Sequence, residues 1–251
     1  MSLPTSSGRV PEDQDQDTRA RTAHAVSGPP AQARRELRRS RTFLRVYVAV
    51  LALFLAGFLV LAALADTHTI LTFDVVVTRA IQSVHMPLYQ WVLTHESDLG
   101  FYPLSPFTFV AVFALLFALG QRLDAVLAVL SALLAGLLGG GIKLLIARAR
   151  PSSAFVHVTA HLNGYGFPSG HVIHYTTLFG FACYAIFAGQ KRGPWRDALL
   201  AVLALLVALV GPSRVYLGEH WPTDALGAYL LGGLWLAGTI EVQRALLRRI
   251  A

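Results

Sequence analysis

Six apolar stretches, at about residues 43–65, 101–120, 123–146, 170–189, 197–213 and 224–243, constrain this chain more than any other feature. About 20 residues rising 1.5 Å each cross a hydrocarbon core of about 30 Å. A backbone in lipid must satisfy its own polar groups, so stretches of this length read as helices. The expected fold class is all-α, an integral membrane bundle of six transmembrane helices. Composition agrees, with 55% of residues hydrophobic and 14% charged, where a soluble domain carries about a quarter charged. The fifth stretch is the shortest and has Pro212 near its end.

Residues 1–42 are rich in Arg, Ser, Pro, Gln and Asp and show no apolar periodicity. They read as a disordered, cytoplasmic N-terminal tail that ends in a basic cluster of Arg34, Arg35, Arg38, Arg39 and Arg41. Residues 43–251 then form the six-helix transmembrane domain. Ala63-Leu64-Ala65 resembles a cleavage site, but the apolar run before it is longer than a signal-peptide core. The first stretch therefore reads as an uncleaved anchor.

The net charge of +7 does not mark a nucleic-acid binder, because the basic residues flank apolar stretches and form no basic face with interleaved aromatics. They sort by membrane side. One set of ends carries the tail arginines, Arg122, Lys191, Arg192, Arg196, Arg244, Arg248 and Arg249. The positive-inside rule puts both termini in the cytoplasm. Composition rich in Ala, Leu and Arg and holding two lysines suits a GC-rich bacterial genome, and the expected location is a bacterial plasma membrane. The single Cys183 lies in an apolar run and excludes an intrachain disulfide.

The connection 66–100 mixes Val75, Val76, Ile81, Val84, Trp91, Val92 and Leu93 with Asp74, Arg79 and His85. It fits an amphipathic helix lying in the interface or a packed loop equally well. Gly136-x3-Gly140, with Gly139 and Gly141 beside it, would let helices approach closely within the molecule.

Three short strings fall at apolar ends that share the extracytoplasmic side: Lys143-x6-Arg150-Pro151, Pro168-Ser169-Gly170-His171 and Ser213-Arg214-x5-His220-x3-Asp224. Cations at membrane depth need partners, and a phosphate group suits this set. Lys143 and Arg150 lie seven apart and share a face if the helix continues to Pro151. Snorkelling to the headgroups explains them equally well. Pro168-Ser169-Gly170 reads as a loop entering a helix, with Ser169 as N-cap and free N–H groups suited to a phosphate. His171 sits at the mouth of that stretch, and His174, one turn further in, reads as a structural histidine. A neutral His220 can attack phosphorus, with a carboxylate four residues on to fix its tautomer. Pro222 fits the first helical position, and Asp224 then also serves the helix start. Arg148 reads as surface charge. His157-x3-His161 has ligand-like spacing, yet no further His, Cys or carboxylate joins it to complete a metal site.

These strings match, position by position, the signature K-x6-R-P, P-S-G-H, S-R-x5-H-x3-D, and the chain resembles the type 2 phosphatidic acid phosphatase family. Vanadium haloperoxidases and glucose-6-phosphatase share that signature. The resemblance is specific over residues 143–224 and extends through the six-stretch layout to about 43–243. It implies a metal-independent, cofactor-free lipid phosphatase. His220 would be the nucleophile, Asp224 its orienting carboxylate and His171 the general acid. Lys143, Arg150, Ser169, Gly170 and Arg214 would bind the phosphoryl oxygens. The implied partners are membrane lipids such as phosphatidic acid, phosphatidylglycerol phosphate or polyprenyl diphosphates. The implied mechanism is hydrolysis through a phosphohistidine at the extracytoplasmic face. A phosphotransferase of the same family is the alternative, and a non-enzymatic lipid-phosphate binder is the second.

Overall fold

A computed structural model describes residues 31–250. Most of the expected disordered tail, residues 1–30, lies outside the described residues. The elements are α1 (Ala31–Asp66), α2 (Thr72–Gln82), α3 (Pro87–His95), a 3₁₀ turn (Glu96–Gly100), α4 (Leu104–Ala118), α5 (Arg122–Ile146), α6 (Gly170–Gly189), α7 (Pro194–Tyr216) and α8 (Pro222–Ile250). The described residues contain no strand.

The chain divides into two compact units at Val50 and Leu51. In the first, the described residues are the upstream part of α1, where the Phe43 and Tyr47 rings stack 6.5 Å apart. Residues 31–42, expected within the unstructured tail, are helical. Ala31–Arg41 consists almost wholly of strong helix formers, so a helix forms there without an apolar stripe. Apart from the apolar span of α1, the following features lie in the second unit.

Among the described residues five helices are long and apolar enough to cross a membrane, and Pro87–Gly100 with Leu104–Ala118 forms a sixth candidate bent by 77°. The apolar stretch expected at 101–120 is the second member of this bent pair. Pro103 interrupts the apolar run, and α4 is only 15 residues long. The free carbonyls of this corner are satisfied by side chains. Thr108 donates to the Leu99 carbonyl, Tyr175 to that of Glu96 and Ser213 to that of Leu93.

Helix α6 lies at the centre, with Val172, Ile173, Tyr175, Leu178, Phe181, Ala182 and Ile186 all at 1% exposure or less. It packs on α4, α5, α7 and α8. The close approach between α5 and α6 falls at Gly139, where a methyl would strike Ile173. Gly136 and Gly140, expected to form that contact, have nothing within 4 Å of a built Cβ. Gly136 is exposed and Gly140 half-buried, so they lie beside that contact and not in it. In α7, Pro212 removes a backbone donor inside the helix. The Tyr229 hydroxyl of α8 enters this turn, donating to the Val207 carbonyl, lying 3.3 Å from the Ala208 carbonyl that Pro212 leaves free, and accepting from the Gly211 N–H. Neighbouring helices satisfy backbone groups freed by proline in this way.

The 66–100 connection is helical and packed. Helix α2 buries Asp74 and Thr78 completely and leaves Phe73 and Val76 exposed.

Candidate active site

The α5 helix stops at Ile146, and Ala147 adopts a left-handed conformation at φ 51°. A non-glycine residue there costs about 1–2 kcal/mol. Lys143 and Arg150 therefore do not share a helix face as expected, because the chain turns between them. The turn sends Arg148 and Arg150 to different partners.

Arg150 reaches the nucleophile candidate. Its guanidinium donates to the Gly164 and Glu219 carbonyls, and NH1 lies 3.1 Å from His220 Nε2. An arginine can only donate, so Nε2 accepts and the His220 proton sits on Nδ1. That nitrogen faces Asp224, with Oδ2 at 3.6 Å, slightly beyond hydrogen-bond distance. His220 is 2% exposed. Burial first, then the charges of Lys143, Arg150 and Arg214, hold its imidazole well below the usual histidine range. It is neutral near pH 7.

Asp224 is fully buried in the first turn of α8, after Pro222 at the first helical position. Its Oδ2 accepts the Trp221 N–H and its Oδ1 accepts from Arg148. The same carboxylate thus lies beside His220 and accepts at the helix start. Gly166 makes room, since a Cβ there would lie 2.8 Å from Oδ2.

The other expected residues gather at the same end. Lys143 Nζ donates to the Tyr165 and Gly166 carbonyls. Ser169 is the N-cap of α6 and its N–H donates to the Asp224 carbonyl, but its buried hydroxyl makes no cap bond and has no partner. Gly170 opens α6 and is exposed. A Cβ at Gly170 would meet only Lys143 Cε, at 3.9 Å. The His171 ring packs on Phe101 at 4.3 Å, and its Nε2 has no hydrogen-bond partner. A methyl at Gly100 would collide with that ring. Arg214 is fully buried over the Phe101 ring, bonded to Ser97 and ion-paired with Glu219. His174 stacks on Phe109, but its buried Nε2 has no hydrogen-bond partner, unlike the satisfied structural histidine expected. Among the described residues no three His, Cys, Asp or Glu side chains gather as a metal-binding group.

Arg148 corrects the sequence expectation. It is not surface charge but 3% exposed. Its guanidinium bridges Asp74 Oδ2 at 2.7 Å and Asp224 Oδ1 at 2.6 Å, and donates to Thr223 Oγ1. Asp74 in turn accepts the Thr223 N–H and hydroxyl. Sequence reasoning missed this network, together with Ser97 and Glu219 on Arg214. The one available signal was Asp74, an acidic residue among valines in an apolar connection.

The PAP2 superfamily profile matches residues 124–248. Phosphatidylglycerophosphatase B of Bacillus subtilis is 30% identical over 179 residues, covering 70% of this chain and 85% of that protein. An undecaprenyl-diphosphatase of Sulfolobus acidocaldarius is 32% identical over 114 residues, 43% of this chain and 50% of that protein. The crystal structure of a transmembrane PAP2-type phosphatidylglycerolphosphate phosphatase from Bacillus subtilis aligns with a TM-score of 0.66 at 26% identity. That alignment covers 78% of this chain and 96% of the other.

Proposed function

Because the chain belongs to the PAP2 superfamily, we propose that it is an integral membrane phosphatase of lipid phosphates that works through a phosphohistidine on His220. The observation that carries this reading is the contact between Arg150 NH1 and the accepting Nε2 of His220. A nucleophilic lone pair is there held against a phosphate-binding cation, with Lys143 and Arg214 close enough to act on the same ring.

A phosphoryl group entering between Arg150 and His220 meets Lys143, Arg214 and the free N–H groups at the start of α6. These stabilise charge spread over the equatorial oxygens. His220 Nε2 bonds to phosphorus as the ester P–O bond breaks, and His171 gives its proton to the leaving oxygen. Water then attacks phosphorus, passing its proton to His171 as the P–N bond breaks. Inorganic phosphate leaves and both histidines are restored. The Asp224 carboxylate stabilises the positive charge that His220 carries in between. The three cations supply the charge that a metal would bring, and Asp74, Asp224 and Glu219 are each engaged by arginine. The reaction is accordingly metal-independent.

Positive-inside bias supports cytoplasmic termini in a bacterial plasma membrane and a site on the outer side. Sixteen residues between Pro151 and Pro168 leave the site without a large cap, so the lipid tail stays in the bilayer while the headgroup reaches His220. Phosphatidic acid, phosphatidylglycerol phosphate and undecaprenyl diphosphate are the substrate candidates. Purified protein in EDTA is expected to release inorganic phosphate from at least one of them. No release from any, or release only on adding a divalent cation, would overturn the proposal.

The pH profile follows from the His220 environment. Only the neutral ring attacks, and the folded protein holds it neutral below the ordinary value of about 6.5. Activity should rise as pH increases through that lowered value. The expected kcat/KM profile has its acid limb below about pH 6.5. An acid limb above about 7 counts against these roles.

A further inference from the structure

We infer that Asp74 and Arg148 are positioning residues for the nucleophile, linked as Asp74–Arg148–Asp224–His220, with Asp74 balancing the guanidinium so that Asp224 keeps negative charge for His220. The inference rests on His220 being the nucleophile. It reaches Asp74, which lies outside the residues matched by the family profile.

The geometry is that of a bridge. Arg148 presents one nitrogen to each carboxylate, at 2.7 Å to Asp74 and 2.6 Å to Asp224. Both carboxylates are fully buried, so solvent does not screen either pair. Asp224 spends Oδ1 on Arg148 and turns Oδ2 toward His220 Nδ1. The planar fork of arginine thus fixes which oxygen the histidine meets. Thr223 ties the bridge to the start of α8, because its N–H and hydroxyl both donate to Asp74.

Charge balance gives Asp74 its part. One guanidinium and two carboxylates leave a net charge of −1 behind His220. Without Asp74, Arg148 would neutralise Asp224 alone, and nothing would remain to stabilise the imidazolium. His220 is otherwise faced by cations: Lys143 from α5, Arg150 from the following loop and Arg214 from α7, with His171 from α6. The Glu219 carboxylate beside it is taken by Arg214. The negative charge available to the ring therefore comes from the Asp74–Arg148–Asp224 group.

The test compares wild type, Asp74→Asn, the double variant Asp74→Asn/Arg148→Gln and His220→Ala, on phosphatidic acid in detergent micelles. In Asp74→Asn the kcat is expected to fall at least about tenfold with KM nearly unchanged, and the acid limb to move down by about half a pH unit or more. The double variant restores the net charge of −1 without the bridge. Its acid limb is expected to return toward wild type while kcat stays low. A merely structural role for Asp74 would not move the limb and then move it back. An Asp74→Asn limb that stays in place or rises sinks the inference. So does a double variant whose limb lies no nearer wild type than that of Asp74→Asn. If Asp74→Asn does not fold, the double variant decides alone, by a limb at the wild-type position or away from it. Inactive wild type, or activity that survives His220→Ala, removes the phosphohistidine reading and this inference together. Active wild type, dead His220→Ala and an unmoved limb remove only the inference.

Discussion

His220→Ala is expected to lower phosphate release by roughly 10³–10⁵-fold while leaving the protein folded. The loss should be this large because no other side chain can take over the attack. The remaining nitrogen base in the site, His171, lies against Phe101 with Arg214 over the same ring. Whatever activity remains should come from the cations, which still stabilise an attacking water's transition state. Alanine leaves a small buried gap where a ring was 2% exposed, and Arg150 keeps its bonds to the Gly164 and Glu219 carbonyls. The measurement is single-turnover phosphate release together with trapping of an acid-labile phosphoenzyme. Wild type should show the intermediate and the variant none. Activity within tenfold of wild type would remove His220 as nucleophile.

Arg148→Met should destabilise the protein more than any exposed charge substitution. It leaves two fully buried carboxylates with no cation between them. Removing one partner of a buried pair costs about 3–5 kcal/mol, because the other charge stays in a medium that cannot solvate it. The melting temperature should fall by on the order of 10 °C. Activity should fall too, since Asp224 loses the contact that aims it. Arg244→Met is the control. Its side chain is 48% exposed and pairs with Glu241 on the surface of one helix turn, where such pairs contribute about 0–1 kcal/mol. Equal thermal shifts in the two variants would contradict the buried bridge.

The contrast between these arginines shows what a sequence can and cannot disclose. The apolar stretches were readable because crossing lipid fixes their length, and helices α5 to α8 fall where expected. The three strings were readable because each carries several chemical groups at fixed spacing. Arg148 was not, since a lone arginine two residues from a signature arginine looks the same whether it snorkels outward or turns inward. Its burial depends on Asp74, 74 residues upstream, and on the left-handed turn at Ala147. Nothing local specifies either. The glycines of α5 were readable as a group, but spacing does not show that Gly139 alone among them meets α6. The break at Pro103 was visible as a proline, yet its 77° bend is set by what the corner packs against.

That corner has a consequence for how such a chain can vary. Its carbonyls at Leu93, Glu96 and Leu99 are each held by a hydroxyl from a different helix. Inserting or deleting one residue between Leu93 and Leu99 would throw several of these acceptors out of step. The segment runs from the last turn of α3 through the 3₁₀ turn, and its length is dictated by hydroxyls on α4, α6 and α7. Indels here should be tolerated less than those in the middle of an exposed loop.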